Sequence, residues 1–313
     1  MSHKSISRNA ASSDATLAST LIPFTSGRSI ASNRKYPSNP KCSAPEFTIV
    51  LRDRVAMCIF EPSDKVVLAR ISSMAAAPRV NNAPRLSANE LANYMMATDQ
   101  GRLGILKRAK FPSTSTVIRY KDVRSVINKF LSDRTRNLDL LLNAEQMFEQ
   151  RMEDPAVSSL MQDDASNSIE VLKSIARMSN KLSAYDFHPS PKNQSHLVIS
   201  NVRVSVYADL IVEGLIKGVK QRGAAILRMT QDNSETEAAK SKRREMGMFA
   251  ATILRMHVDQ NLSGDNLVSN KFCMSIDIQC GEVFSAPPQN ATRQKNIEAV
   301  CQMIASYWPS ITR

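Results

Sequence analysis

The sequence predicts an α+β protein, with a helical middle region followed by a carboxy-terminal small mixed sheet flanked by helices. Three observations carry this expectation. Between Leu197 and Met229, three apolar and β-branched runs of alternating character follow one another, as strands would. A long amphipathic pattern from about Glu235 to Gln260 comes directly after them. From Leu86 to Leu182 the apolar residues instead recur three and four apart, the period of helices.

The bulk properties bound the rest. A chain of 313 residues can bury one large or two ordinary cores without covalent staples. Lysine and arginine number 41 against 29 acidic residues, and the resulting charge of +12 implies an acidic partner, nucleic acid before membrane surface, with simple solubility as the competing reading. The cysteines Cys42, Cys58, Cys273, Cys280 and Cys301 are scattered and form no C-x-x-C pair, which argues against a zinc site or a disulfide framework. Cys58, Cys273 and Cys301 lie on apolar runs and read as small core residues in a reducing, cytoplasmic compartment. No run approaches the roughly eighteen uninterrupted apolar residues of a membrane span.

Residues 1–45 are rich in Ser, Thr, Asn, Ala and Arg, with Asp14 as their only acidic residue, and predict a disordered tail. An organelle transit peptide is the alternative for such a composition. Residues 46–72 hold short apolar runs at Phe47–Leu51, Val55–Phe60 and Lys65–Ile71, a predicted β meander, and 73–85 read as a linker.

The helical region spans 86–183. Ser87-Ala88-Asn89-Glu90 is a capping box, in which serine and glutamate each satisfy a free amide of the other's neighbourhood. Further helices are predicted at about Gln100–Ala109, Lys121–Leu131, Leu138–Met152 and Ser168–Leu182, the last with Val171, Ile175, Met178 and Leu182 on one stripe. Within 102–136, Arg102, Lys107, Arg108, Lys110, Arg119, Lys121, Arg124, Lys129, Arg134 and Arg136 face only Asp122 and Asp133. That excess has the character of a phosphate footprint, and a solvated basic face is the competing reading.

Ala184–Ser195, with two prolines, reads as a linker, and its flanking His188 and His196 as ordinary loop residues. The carboxy-terminal domain is predicted at 195–313. Val198, Val202, Val204 and Val206 alternate along a first strand, Ala208–Val212 form a second, and Ala224–Met229 a third. Gly214, Gly218 and Gly223 supply a turn and a flexible loop carrying Lys217, Lys220 and Arg222. His257, on the apolar side of the long helix, reads as a core histidine. Phe272–Ile278 and Glu282–Ser285 suggest a hairpin, and Trp308 anchors a final helix whose stripe runs through Ile297, Cys301 and Ile304.

The order strand, strand, strand, helix, strand, helix over residues 195–308 resembles the core of the restriction-endonuclease-like superfamily, the PD-(D/E)XK nucleases. That resemblance implies carboxylates holding Mg²⁺ and a lysine that positions the attacking water. Asp209 matches the aspartate and Arg228 stands where the lysine would be, so these two are the catalytic candidates. Ile226 occupies the acidic position and cannot bind a hard cation, and an arginine makes a poor proton acceptor. From Ser87 to Ile311 the chain also looks like a group of uncharacterised bacterial proteins, through Leu-Ser-Ala-Asn-Glu-Leu-Ala-Asn-Tyr and the closing Ile-Ala-Ser-Tyr-Trp-Pro-Ser-Ile.

The expected function is nucleic-acid binding, to DNA or RNA, by a catalytically degenerate nuclease-like domain of an accessory subunit, with no resident metal or cofactor. The candidate contacts are Arg102, Lys107, Arg108, Lys110, Arg119, Lys121 and Arg124, extended by Lys217, Lys220 and Arg222. One alternative is a Mg²⁺-dependent nuclease whose missing carboxylate has migrated to Glu213, Asp277 or Glu282. Another is a protein-interaction or assembly component. No membrane partner is expected.

Overall fold

A computed structural model of the protein describes residues 79–113, 119–229 and 234–313, all within one compact unit, Ala69–Arg313. The tail expected at 1–45 and the meander expected at 46–72 lie outside the described residues. Strand β1 (Arg85–Ser87) leads into α1 (Ala88–Met96), and α2 (Asp99–Lys110), α3 (Lys121–Ser132), α4 (Asp139–Glu153) and α5 (Ser159–Leu182) follow. The capping box forms as expected: Glu90 N–H donates to Ser87 Oγ at 3.2 Å and Ser87 N–H to Glu90 Oε2 at 2.7 Å.

Next come β2 (Asp186–Pro189), β3 (Leu197–Ile199), β4 (Val202–Ser205), β5 (Leu210–Ile216) and β6 (Val219–Arg228). After them lie α6 (Glu237–Asn261), β7 (Leu267–Val268), β8 (Met274–Asp277), β9 (Glu282–Ser285) and α7 (Ala291–Tyr307). The main sheet has the order β2-β5-β6-β8-β9, with β7 beside the start of β6. Its neighbours are antiparallel except where β6 meets β7 and β8, both of which run parallel to it because α6 carries the chain back across one face. A second sheet, β1-β4-β3, joins residues far apart in sequence, with Arg85 opposite Arg203.

Side-chain alternation along the main sheet creates two cores. Ile211, Ala224 and Ile226 face a core shared with α1, α2, α6, α7 and the small sheet. Leu210, Val212, Ala225 and Leu227 face the opposite core, built with α3, α4 and α5. The arrangement is therefore helix, sheet, helix. The separation expected between a helical region at 86–183 and a sheet domain at 195–313 is not present, since the helices of the first complete the cores of the second.

Three local expectations are corrected. The stretch expected as a linker contains β2, which pairs antiparallel with β5 and forms the sheet edge. The predicted first strand is two short strands folded back at Ser200 and Asn201, whose φ values are +46° and +65°. That two-residue reversal turns Val198 outward, 57% exposed, while Val202 and Val204 point into the core. Finally, the basic loop is mostly strand. Only Lys217 and Gly218 form its turn, at φ +52° and +78°. Gly223 lies within β6 because the backbone of Phe272 crosses it: a Cβ there would stand 2.2 Å from that residue's carbonyl carbon.

The carboxy-terminal anchor is as predicted. Trp308 is 1% exposed and its Nε1 donates to Asn81 O at 3.0 Å. Lys110 Nζ donates to the carbonyls of Trp308, Pro309 and Ile311 at 2.8, 3.2 and 2.9 Å, tying the end of α2 to the last turn of the chain.

Candidate functional site

Asp209 immediately precedes β5, and its amide donates to Ala225 O at 2.8 Å, which places it beside the carboxyl end of β6. Its side chain is buried, and Leu227 N–H donates to Oδ2 at 2.8 Å. From α3, Arg124 Nη1 reaches both carboxylate oxygens at 2.7 Å. Burial pushes the Asp209 carboxyl up, and the Arg124 guanidinium, the Leu227 amide and the Asn128 side chain pull against that rise. A basic helix is thereby fastened to the sheet through one buried carboxylate.

Arg228, the second catalytic candidate, ends β6 on the neighbouring backbone but takes a different partner. It pairs in register with Asp277 at the end of β8, and Nη1 lies 3.5 Å from Asp277 Oδ2. Both residues are 3% exposed. The contact does not meet hydrogen-bond geometry, and Arg228 Nε and Nη1 have no hydrogen-bond acceptor. The buried hydroxyl of Ser275, two residues earlier on β8, is also unpartnered. Asp277 Oδ1 accepts from the Cys280 amide at 3.2 Å. Asp209 and Arg228 thus sit on adjacent backbone segments at one sheet end, with their charges spent on Arg124 and Asp277.

The other candidate carboxylates do not converge on Asp209. Glu213 lies four residues along β5, and accepts from Lys220 at 2.7 Å and from Arg222 Nη2 at 2.7 Å. The Lys220 contact is the leading cause that holds its carboxyl low. Glu282 lies across from Asp277 on β9 and is exposed. No group of three or more His, Cys, Asp or Glu side chains able to hold a metal occurs among the described residues. With both Asp209 oxygens on a guanidinium, the residues present do not fit a resident Mg²⁺.

The run of cations that looks continuous in sequence is divided in space. Helix α2 packs in the core on one side of the main sheet and α3 in the core on the other. Several members are also committed to the fold. Lys110 caps the chain end, Arg124 binds Asp209, and Arg136 donates to the carbonyls of Leu182 and Tyr185 at 2.9 Å each, closing α5. Arg102 pairs with Asp99 at 3.2 Å and lies over the Tyr94 ring. Lys220 and Arg222 are held by Glu213, while Lys217 occupies the hairpin turn. Arg108, Arg119 and Lys121 remain exposed and Lys107 half-buried, without a carboxylate partner among the described residues.

Sequence reading missed a polar network behind Asp209. His257 Nε2 lies 3.2 Å from Gln194 Oε1, and its Nδ1 lies 3.0 Å from Asn261 Nδ2. Gln194 clasps the backbone of Ala208 at both ends: Nε2 donates to the carbonyl at 2.9 Å and Oε1 accepts from the amide at 3.0 Å. Burial, then the charge of His196, lower the His257 imidazole to about 4. It is the core histidine expected, with a positioning job besides. Gln194 lies in a stretch without period, so nothing in the sequence marked it. His188 is within β2 rather than a loop, 3.3 Å from Asp186.

No protein-family model matches the chain, and no curated protein is significantly similar to it.

Proposed function

We propose that this protein binds nucleic acid through a restriction-endonuclease-like domain that does not hold a catalytic metal, and that it serves as an accessory subunit rather than as a nuclease. The observation that carries the reading is the Arg124 guanidinium on both oxygens of Asp209. In a nuclease of this kind that aspartate would ligate Mg²⁺, and here a fixed organic cation neutralises it. The succession β5, β6, α6 and a parallel β8 supports the fold part of the proposal, with β2 taking the sheet position expected of the 197–206 strand, which lies in the small sheet instead. A net charge of +12, with Arg108, Arg119 and Lys121 exposed, supports the partner part. The free, buried thiols of Cys273 and Cys301 accord with a cytoplasmic setting. No helix among the described residues is long and apolar enough to cross a membrane.

The test is retention of labelled duplex and single-stranded oligonucleotides over a salt series, alongside plasmid nicking with Mg²⁺ or Mn²⁺. The proposal expects binding that weakens steeply with salt, no nicking, and weaker retention in the triple charge reversal Arg108→Glu, Arg119→Glu and Lys121→Glu. Metal-dependent nicking lost in Asp209→Ala would establish the nuclease instead. The assembly reading has one observation of its own, the half-exposed Leu138 just before α4 and Leu142 on it, with Met152 at 38%. Association through that stripe would be insensitive to salt, which separates it from phosphate binding.

A further inference from the structure

The outer face of the small sheet is set by alternation. Leu86, Val202, Val204, Leu197 and Ile199 enter the core, so Arg85 on β1 and Arg203 on β4 point outward, side by side in register. At the end of this face lies an open groove of about 430 Å³, lined by Arg85, Lys192, Asn193, His196, Ser205 and Tyr207 among others, with no carboxylate in its wall. Arg85, Lys192 and Arg203 are exposed and have no acidic partner among the described residues.

Tyr207 is the feature that gives the groove a ligand class. Its neighbours Val206 and Ala208 are buried, while its own side chain is 54% exposed. The backbone beneath it is held at the next residue, where Gln194 grips Ala208 through both amide and carbonyl, and His257 of α6 contacts Gln194 in turn. A large aromatic ring is therefore presented to solvent from a held backbone, in a groove shared with Arg85 and Lys192, and Arg203 lies in register with Arg85. Exposing a ring in this way forgoes apolar burial, while a fixed ring beside cations is what unpaired bases and their phosphates require.

We propose that this groove binds single-stranded nucleic acid, with a base stacked on Tyr207 and the backbone phosphates contacting Arg85, Arg203 and Lys192. The inference rests on the nucleic-acid reading above and names where and in what form the nucleic acid binds. The polar wall made by Asn193, His196 and Ser205 faces the same space, and His196 Nδ1 lies 3.4 Å from Ser205 Oγ. Because every base has a stacking face, the site tolerates sequence.

The experiment is fluorescence anisotropy of the full chain with labelled twelve-residue oligothymidylate, oligouridylate, an abasic oligomer of the same length, and a duplex. Wild type binds the base-bearing strands about tenfold more tightly than the abasic strand, a preference of the size a base–aromatic stack contributes. Tyr207→Ala removes that preference and Tyr207→Phe keeps it. Arg85→Glu with Arg203→Glu weakens binding to all single strands and lowers the salt slope. Oligothymidylate against oligouridylate separates DNA from RNA as the preferred strand. Wild-type affinity for base-bearing strands in both Tyr207→Ala and the double arginine variant overturns the groove and leaves the nucleic-acid reading standing, as does binding confined to duplex. Wild type that binds none of the four probes overturns that reading and the groove with it.

Discussion

Replacing Arg124 by methionine tests whether Asp209 is a structural fastener. The methionine keeps most of the packing length of the side chain and removes its charge, which leaves a buried carboxylate with the Leu227 and Asn128 contacts alone. Breaking a buried pair from one side costs about 3–5 kcal/mol. Arg124 is 32% exposed on its side chain, so part of its charge is already in water and the expected loss is near the lower end, about 3 kcal/mol. Asp209→Asn should cost less, about 1–2 kcal/mol, because the arginine left behind can turn to solvent and the amide oxygen still accepts from Leu227. The double variant should be clearly more stable than the sum of the two losses. Urea unfolding followed by the fluorescence of the single tryptophan, Trp308, reads all four proteins. Arg124 pulls the Asp209 carboxyl down against burial, so its removal raises the folded-state value further. The deficit of Arg124→Met therefore grows as pH rises and shrinks in acid, where the carboxyl is protonated. A loss below about 0.5 kcal/mol, or simple additivity in the double variant, would refute the fastening role.

Acid should act on His257. Between its ordinary 6.5 and its folded value of about 4, the unfolded chain takes up a proton that the folded chain refuses, so stability falls as pH drops through that window, by up to about 3 kcal/mol. His257→Leu should flatten the slope of urea midpoint against pH. Gly223→Ala should cost about 3 kcal/mol or more, visible as lost soluble yield and a lower melting temperature, because the added carbon meets the Phe272 backbone rather than a movable side chain. Lys110→Ala should cost about 2 kcal/mol and make Trp308 easier for acrylamide to quench, since three carbonyls at the chain end lose their shared donor.

The elements that could be read from the sequence are those whose signal is local. A capping box, the stripe through Val171, Ile175, Met178 and Leu182, and the tryptophan before Pro309 each fit within a few turns. Strand β2 gives no such signal: Asp-Phe-His-Pro has one strongly apolar side chain, and the strand exists because β5 offers it a ladder. The small sheet is equally invisible, because β1 and β4 pair across more than a hundred residues. Asp209 and Arg228 do fall on adjacent segments, which the alternation of neighbouring strands allowed. Their true partners, Arg124 and Asp277, come from a helix 85 residues upstream of Asp209 and from the far side of α6, where no spacing rule reaches.

Charge density along the chain also overstates how many cations are left over for a partner, for a physical reason. A cation inside a compact fold lowers its energy by meeting whatever acceptors the backbone leaves exposed, and helix ends leave carbonyls in abundance. Lys110 and Arg136 are used in this way, and Arg124 is used on a buried carboxylate, so the densest basic stretch is partly consumed in building the protein. Cations available to a polyanion are instead those whose surroundings lack acceptors. Arg85 and Arg203 on the small sheet, and Lys192 in the segment before β3, meet that condition and lie outside the basic run. If the groove takes a single strand as proposed, position next to a fixed, exposed aromatic ring is a better guide to that surface than the number of lysines and arginines per turn of chain.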